Sequence, residues 1–84
     1  EFDLILCDGH GDGRNEWIMK TWNLVSGGGW YVVDNSNQPK YLEGMRQLRS
    51  RAWPEYIIPA VAPGEALQTS FFRRPWFLVN EIDW

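Results

Sequence analysis

The stretch FDLILC at residues 2–7 decides how the rest of the chain is interpreted. Its apolar side chains at Leu4, Ile5, Leu6 and Cys7 occupy both alternating faces, which is the pattern of a strand buried on both sides in a parallel sheet. The strand ends abruptly in the polar loop DGHGDG. Because parallel strands need helical crossovers, the chain that follows should alternate helices with strands.

The segment after this loop fits one helix and one strand. Residues 14–25 carry apolar side chains at helical spacing and predict an amphipathic helix, closed by the serine and three glycines at 26–29. Residues 30–33 (WYVV) are aromatic and β-branched and predict a second strand. This strand also ends in a polar cluster, DNSN at 34–37.

A second helix has clear start and stop signals. Asn37 is in position to cap it, Pro39 falls in its first turn, and Pro54 stops it. Its apolar stripe comprises Tyr41, Met45, Leu48 and Ala52. Residues 55–58 and 67–73 predict two further strands that lie too close together for a helical crossover and should therefore be antiparallel. The sequence thus predicts an α/β fold with three parallel strands, two helices and a terminal antiparallel strand.

Composition limits the class of protein. With 84 residues, 44% of them hydrophobic, the chain is a globular segment of at most one domain. The net charge of −3 argues against a nucleic-acid-binding module, which normally presents a basic surface. No apolar run approaches the ~20 residues that span a membrane, and no signal peptide opens the chain, so a cytoplasmic location is expected.

The crossovers predict a sheet that is covered on one side only. Right-handed crossovers that step in one direction place both helices on the same face. The opposite face and the pairing edge of strand 2–7 would then be bare, which conflicts with the two-sided apolarity of that strand. The sequence therefore predicts that an upstream segment, a partner chain or a second copy of this chain completes the sheet.

Four segments carry a resemblance to a known family: FDLILCDGH, NLVSGGGWYVVDN, PKYLEGMRQL and QTSFFRR. Together they resemble the second half of a class I S-adenosylmethionine-dependent methyltransferase domain, which is Rossmann-like. The resemblance covers residues 1–75, with 76–84 as a C-terminal tail. It implies a parallel strand pair followed by an antiparallel hairpin, and methyl transfer to a small acceptor. The glycine-rich loop and the acidic residue with which the family holds its cofactor would lie upstream of Glu1, so the chain alone would be inactive.

The resemblance is closest to the O-methyltransferase-like branch, and the stretch DGHGD is similar to the DG-x-H variety of these proteins. It implies that Asp8, Asp34 and Asn35 line the substrate site. In the metal-dependent members, the equivalent oxygens bind a divalent cation such as Mg²⁺, which also holds the hydroxyls of the substrate.

The position of the polar clusters supports such a site on physical grounds. Ligands of open α/β sheets bind beyond the carboxyl ends of the strands. Carboxylates on neighbouring strand ends, about 4.8 Å apart, can converge on one Mg²⁺ or Ca²⁺. Histidine titrates near neutrality and suits a general base, so Asp8 and His10 are the predicted catalytic residues. The alternative is that Asp8 and Asp34 only terminate their strands and cap the helices that follow.

Two other functions stay open at this point. The chain could be a non-catalytic, methyltransferase-like assembly module that pairs with another chain through its bare sheet edge. It could also belong to another Rossmann-like enzyme, such as one acting on sugar nucleotides, where a terminal antiparallel hairpin is less typical.

Overall fold

The computed structural model describes residues 2–8, 13–62 and 65–76. Strand β1 (Phe2–Cys7) is followed by helix α1 (Arg14–Thr21), a 3₁₀ turn (Trp22–Leu24) and strand β2 (Val25–Asp34). A second 3₁₀ turn (Pro39–Tyr41) leads into helix α2 (Leu42–Arg49), and a hairpin of β3 (Glu55–Ala62) and β4 (Glu65–Arg73) completes the described fold. None of these helices is long and apolar enough to cross a membrane.

The four strands form one mixed sheet in the order β1-β2-β4-β3. Strands β1 and β2 are parallel, with Cys7 opposite Val33. Strand β4 is antiparallel to both of its neighbours, β2 and β3. The predicted antiparallel pairing of the last two strands is therefore confirmed, but the predicted sheet of three parallel strands is wrong. The observed sheet contains one parallel pair, β1 and β2, because β4 lies between β2 and β3.

Pro59 gives a physical reason for this order. It lies within β3, opposite Gln68 of β4. Proline has no N–H to donate to a neighbouring strand, so it is confined to edge strands, strand starts and bulges. Strand β3 therefore fits the edge of the sheet, and β4 takes the central position beside β2. The spacing of helices and strands along the chain predicts that β3 runs in the same direction as β1 and β2. It does not predict which strand lies beside β3.

The sequence predicted that the glycine segment stops helix α1. This prediction is wrong, because the glycines belong to strand β2. Helix α1 ends at Thr21, and β2 begins at Val25. The N–H of Gly28 donates to the carbonyl of Arg74 at 2.7 Å, and Arg74 N–H donates to Gly29 at 2.9 Å. Gly28 has a φ of 80°, which side chains rarely permit. A Cβ on Gly29 would lie 2.8 Å from the carbonyl oxygen of Asp3, so β1 and β2 approach closely there.

Helix α2 is shorter at both ends than predicted. It begins after the 3₁₀ turn, with Tyr41 at its N-cap position and not Asn37, and ends at Arg49. Tyr41, Met45 and Leu48 are buried as predicted, whereas Ala52 is exposed and has a φ of 61°. The chain turns there, with the N–H of Ala52 donating to Arg49. This turn returns Trp53 to the core, where it is 5% exposed.

The core lies between one face of the sheet and the two helices. Side chains at alternate positions of β1, β2 and β4 meet the helices there. The buried core residues are Cys7, Ile18, Val25, Tyr31, Val33, Tyr41, Met45, Leu48, Trp53 and Phe72. The prediction that both helices cover the same face is therefore confirmed. Strand β1 contributes only Cys7 and, in part, Ile5, so within the described residues it is not buried on both sides as its sequence predicted.

The hydroxyl of Tyr31 lies inside this core and makes a pH-dependent prediction possible. It shares a 2.6 Å hydrogen bond with Thr21 Oγ1, which also lies 2.7 Å from the carbonyl of Trp17. Burial raises the pKa of Tyr31 to about 12, and this effect exceeds that of the hydrogen bond with Thr21, which lowers the pKa. Because the folded pKa exceeds that of the unfolded chain, this stabilising contribution is complete below pH 10. It is lost as the pH rises through 12.

We expect Tyr31 to remain protonated in the folded protein until about pH 12. A shift from 10 to about 12 corresponds to about 3 kcal/mol of stability that disappears over this interval. Spectrophotometric titration of tyrosinate absorbance, compared between the parent protein and Tyr31→Phe, isolates this group. Ionisation of Tyr31 near pH 10 in the folded state would contradict the prediction.

Candidate functional site

The carboxyl ends of β1 and β2 lie side by side. Cys7 pairs with Val33, so Asp8 and Asp34 follow at neighbouring positions, one on each strand. Asp8 is exposed and Asp34 is half-buried. His10, the other predicted catalytic residue, lies outside the residues that the structure describes. Of the predicted site residues, the structure thus brings Asp8, Asp34 and Asn35 to one end of the sheet.

Asp34 is held by hydrogen bonds from two other elements. Thr69 Oγ1 of β4 donates to Asp34 Oδ1 at 2.9 Å. The guanidinium of Arg14, at the start of α1, donates to the Asp34 carbonyl oxygen. Arg14 is only 6% exposed, and its guanidinium lies 4.0 Å from the centre of the Tyr41 ring, a cation–π contact. A buried cation therefore lies beneath this end of the sheet.

Asn35 has a structural reason for its place after β2. Its φ is 56°, in the left-handed region that asparagine adopts more readily than most residues. Its carbonyl accepts from the N–H of Gln38 at 3.1 Å, which closes a turn. The turn that ends the strand therefore accounts for an asparagine here.

A polar chain, buried at its two serines, runs from this turn across the sheet to the edge strand β3. Ser36 Oγ lies 2.7 Å from Ser70 Oγ, which donates to Glu55 Oε2 at 2.6 Å. Arg49 donates to both carboxylate oxygens of Glu55 at 2.9 Å. Burial favours a higher pKa for Glu55, but the hydrogen bonds from Arg49 and Ser70 outweigh it and lower the pKa. Glu55 is thus a paired carboxylate and a poor general base.

Sequence reasoning missed Arg14 and this polar chain. A charged residue in the first turn of an amphipathic helix resembles an ordinary solvated side chain, so the sequence carries no signal for the burial of Arg14. The two serines and Glu55 lie on three separate segments, and only the β2/β4/β3 pairing brings them together.

The usual charged metal ligands do not cluster in the described residues. Across 2–8, 13–62 and 65–76, no group of three or more His, Cys, Asp or Glu residues converges. Asp34 already accepts a hydrogen bond from Thr69, and Mg²⁺ or Ca²⁺ takes six or more oxygen ligands. A cation bound by Asp8, Asp34 and Asn35 stays a prediction. Cys7 is buried, and burial raises the pKa of its thiol, so it packs as a small apolar residue.

The sheet face opposite the helices carries an open apolar groove of about 410 Å³. The lining residues are Leu4, Trp30, Val32, Tyr56, Ile58 and Phe71. Trp30 lies centrally, with ring centroids 5.8 Å from Tyr56 and 6.4 Å from Phe71. The guanidinium of Arg73 lies 4.9 Å from the centre of the Trp30 ring. Aromatic rings and one cation thus form the middle of this surface, which we call the open-face groove.

The free edge of β1 is a second apolar surface. In the described part of the chain, β1 pairs with β2 alone, so its other edge is unpaired. Phe2, Leu4 and Leu6 are 55%, 59% and 57% exposed. A smaller groove of about 260 Å³ separates β1 from α1 and includes Trp17 and Leu24 in its wall. An edge of this kind is a template for a further strand.

Comparison of the chain with protein-family models, with curated proteins and with solved structures found no match. The resemblance to class I methyltransferases therefore stays a prediction.

Proposed function

We propose that this chain is part of an S-adenosylmethionine-dependent methyltransferase that transfers a methyl group to a small acceptor. We also propose that a further segment pairs with the free edge of β1 and holds the cofactor. The observation that carries it is this unpaired edge, beside two strand ends that bear Asp8 and Asp34. A parallel pair followed by an antiparallel hairpin is also the pattern that the resemblance implies.

The residues of this chain would act on the acceptor. S-adenosylmethionine, when bound, supplies an activated methyl group. The exposed carboxylate of Asp8 can accept a hydrogen bond from an acceptor hydroxyl beyond the end of β1. Asp34, held by Thr69 and Arg14, provides a rigid neighbour that limits where the acceptor can lie. His10 remains the predicted base that takes the hydroxyl proton.

A second candidate is a non-catalytic assembly module. The observation that favours it is the apolar, unpaired edge of β1, where a second copy of the chain could add its own β1. Such pairing needs no cofactor and no polar site at the strand ends.

Calorimetric titration with S-adenosylhomocysteine tests the first proposal. We expect no binding heat from the 84-residue chain and clear binding by a polypeptide from the same gene that is extended at its N terminus. In the extended protein, Asp8→Asn should lower methyl transfer about 100-fold, because the neutral amide holds the acceptor hydroxyl less well in position for His10. Asp3→Asn, which alters an exposed carboxylate of the same strand, is the matched control and should change little.

The same samples distinguish the second candidate. Absence of binding by both polypeptides, together with sedimentation of the 84-residue chain as a dimer, would reject the enzyme and support the assembly module. Binding with full activity in Asp8→Asn would retain the methyltransferase but remove Asp8 from its site.

A further inference from the structure

The sheet face opposite the helices carries opposite charges at its two ends, with apolar side chains between them. Arg73 pairs with Trp30, and its guanidinium lies against the Trp30 ring, so it marks one end of the open-face groove. Asp34 lies four residues further along β2, about 13 Å away. Its carboxylate accepts a hydrogen bond from Thr69, its cross-strand partner on β4.

Asp34 shares this face with the groove. Side chains two residues apart on a strand point to the same side of the sheet, and β2 pairs with β4 in regular register from Trp30 to Asp34. Trp30 and Val32 line the groove, whereas the intervening Val33 is buried in the core on the helix side. Val32 pairs with Phe71 midway between the two charged positions. The positive and negative ends thus lie equally far from the centre of the face.

We propose that two copies of this chain pack their open faces together around a two-fold axis that passes near Val32 and Phe71. An axis that lies between the two sheets and crosses their strands makes the strands of the two copies antiparallel. Arg73 of each copy then faces Asp34 of its partner, so the dimer contains two equivalent ion pairs. The partner's Arg73 comes from the strand beside β2, about 4.8 Å to the side, a distance that an arginine side chain spans.

The apolar part of the face fits the centre of such an interface. Leu4, Tyr56 and Ile58 line the groove and are 59%, 56% and 55% exposed. Sheets that pack face to face lie about 10 Å apart, and their side chains interdigitate. An apolar centre with a charged rim is the usual composition of a protein interface.

The charge pattern favours a second copy over an unrelated partner, because it makes the face complementary to itself. Four strands with about five residues each form a face of about 19 by 17 Å. This size is at the low end for specific interfaces, so we expect a dissociation constant in the micromolar range. The open face and the free edge of β1 are different surfaces, so the inference does not depend on the proposed methyl transfer.

Charge reversal tests the dimer by sedimentation equilibrium over micromolar to millimolar concentrations. In Arg73→Glu and in Asp34→Arg, like charges would face each other at both pairs, so each variant should raise the dissociation constant at least about tenfold. An equimolar mixture of the two variants should form a heterodimer about as tight as the parent dimer, because both pairs then join opposite charges again. Lys20→Glu reverses an exposed charge on α1, on the helix side of the sheet, and is the matched control that should change little.

Three results would overturn the proposal. The first is a parent protein that sediments as a monomer throughout this range. The second is a dimer that both single variants retain unchanged, which would place the interface elsewhere, for example at the free edge of β1. The third is a mixture of the two variants, both folded by circular dichroism, that does not associate.

Nuclear Overhauser measurements on the parent protein decide the matter even where a variant does not fold. In a sample of labelled and unlabelled copies, we expect contacts between molecules that join the methyl groups of Leu6 or Val32 to the rings of Tyr56 or Phe71. Contacts to the groove that arise only within one molecule would assign it to another part of the same chain and reject the dimer.

Discussion

Replacing Phe72 with alanine is expected to lower the free energy of unfolding by about 3 to 5 kcal/mol, the usual cost of removing a buried aromatic ring. Phe72 is fully buried near the end of β4, between Tyr31 of β2 and Glu55 of β3. The strands on both sides are fixed by hydrogen bonds, so they cannot close the cavity. A chain of this size has a total stability of about 4 to 13 kcal/mol, so this loss removes a large part of it.

Urea denaturation followed by circular dichroism measures this effect. Phe72→Leu keeps most of the apolar volume and should cost about 1.5 kcal/mol or less, so it gives a value even where the alanine variant does not fold. Leu42→Ala removes a leucine that is 62% exposed on α2 and should stay within about 0.5 kcal/mol. A similar cost for Phe72→Ala and Leu42→Ala would contradict the arrangement of the core.

Replacing Gly44 with alanine should also destabilise the protein, although alanine is the better helix former. Gly44 lies where α2 meets α1, and a Cβ there would lie 2.8 Å from Ile18 Cδ1 and 3.3 Å from Asn15 Cα. Asn15 Oδ1 also accepts from the N–H of Gly44 at 2.8 Å. Crowding of this kind costs about 1 to 3 kcal/mol, whereas the gain in helix propensity is about 1 kcal/mol. We expect a net loss of up to about 2 kcal/mol.

Gly13→Ala is the matched control for this substitution. A Cβ on Gly13 meets nothing within 4 Å, so the same chemical change takes place there in open space. Gly13 is the N-cap of α1, where glycine is a better residue than alanine, so this substitution should cost about 0.5 to 1 kcal/mol without any crowding. A stabilised Gly44→Ala protein, measured in the same urea titration, would mean that α1 and α2 do not approach each other this closely.

The candidate site was predictable in part. The carboxyl ends of two parallel strands must lie together, so the sequence predicts that Asp8 and Asp34 are neighbours once the strands are identified. The side chains that surround Asp34 were not predictable. Thr69 and Arg14 lie 35 and 20 residues away along the chain. Which residues face a strand end depends on the sheet order and on the packing of α1, and neither leaves a local pattern.

The sequence by itself determined the element types, the direction of each strand and the one-sided helical cover. These follow from residue periodicity, from the lengths of the connections and from the handedness of the crossovers, all of which are local properties. Only the tertiary structure decided that β4 lies between β2 and β3, that the glycines belong to β2, and that β1 is exposed on one side. These features depend on which strands pair through their backbone hydrogen bonds. Pro59, Gly28 and Gly29 influence this pairing only where segments that are distant in the sequence meet.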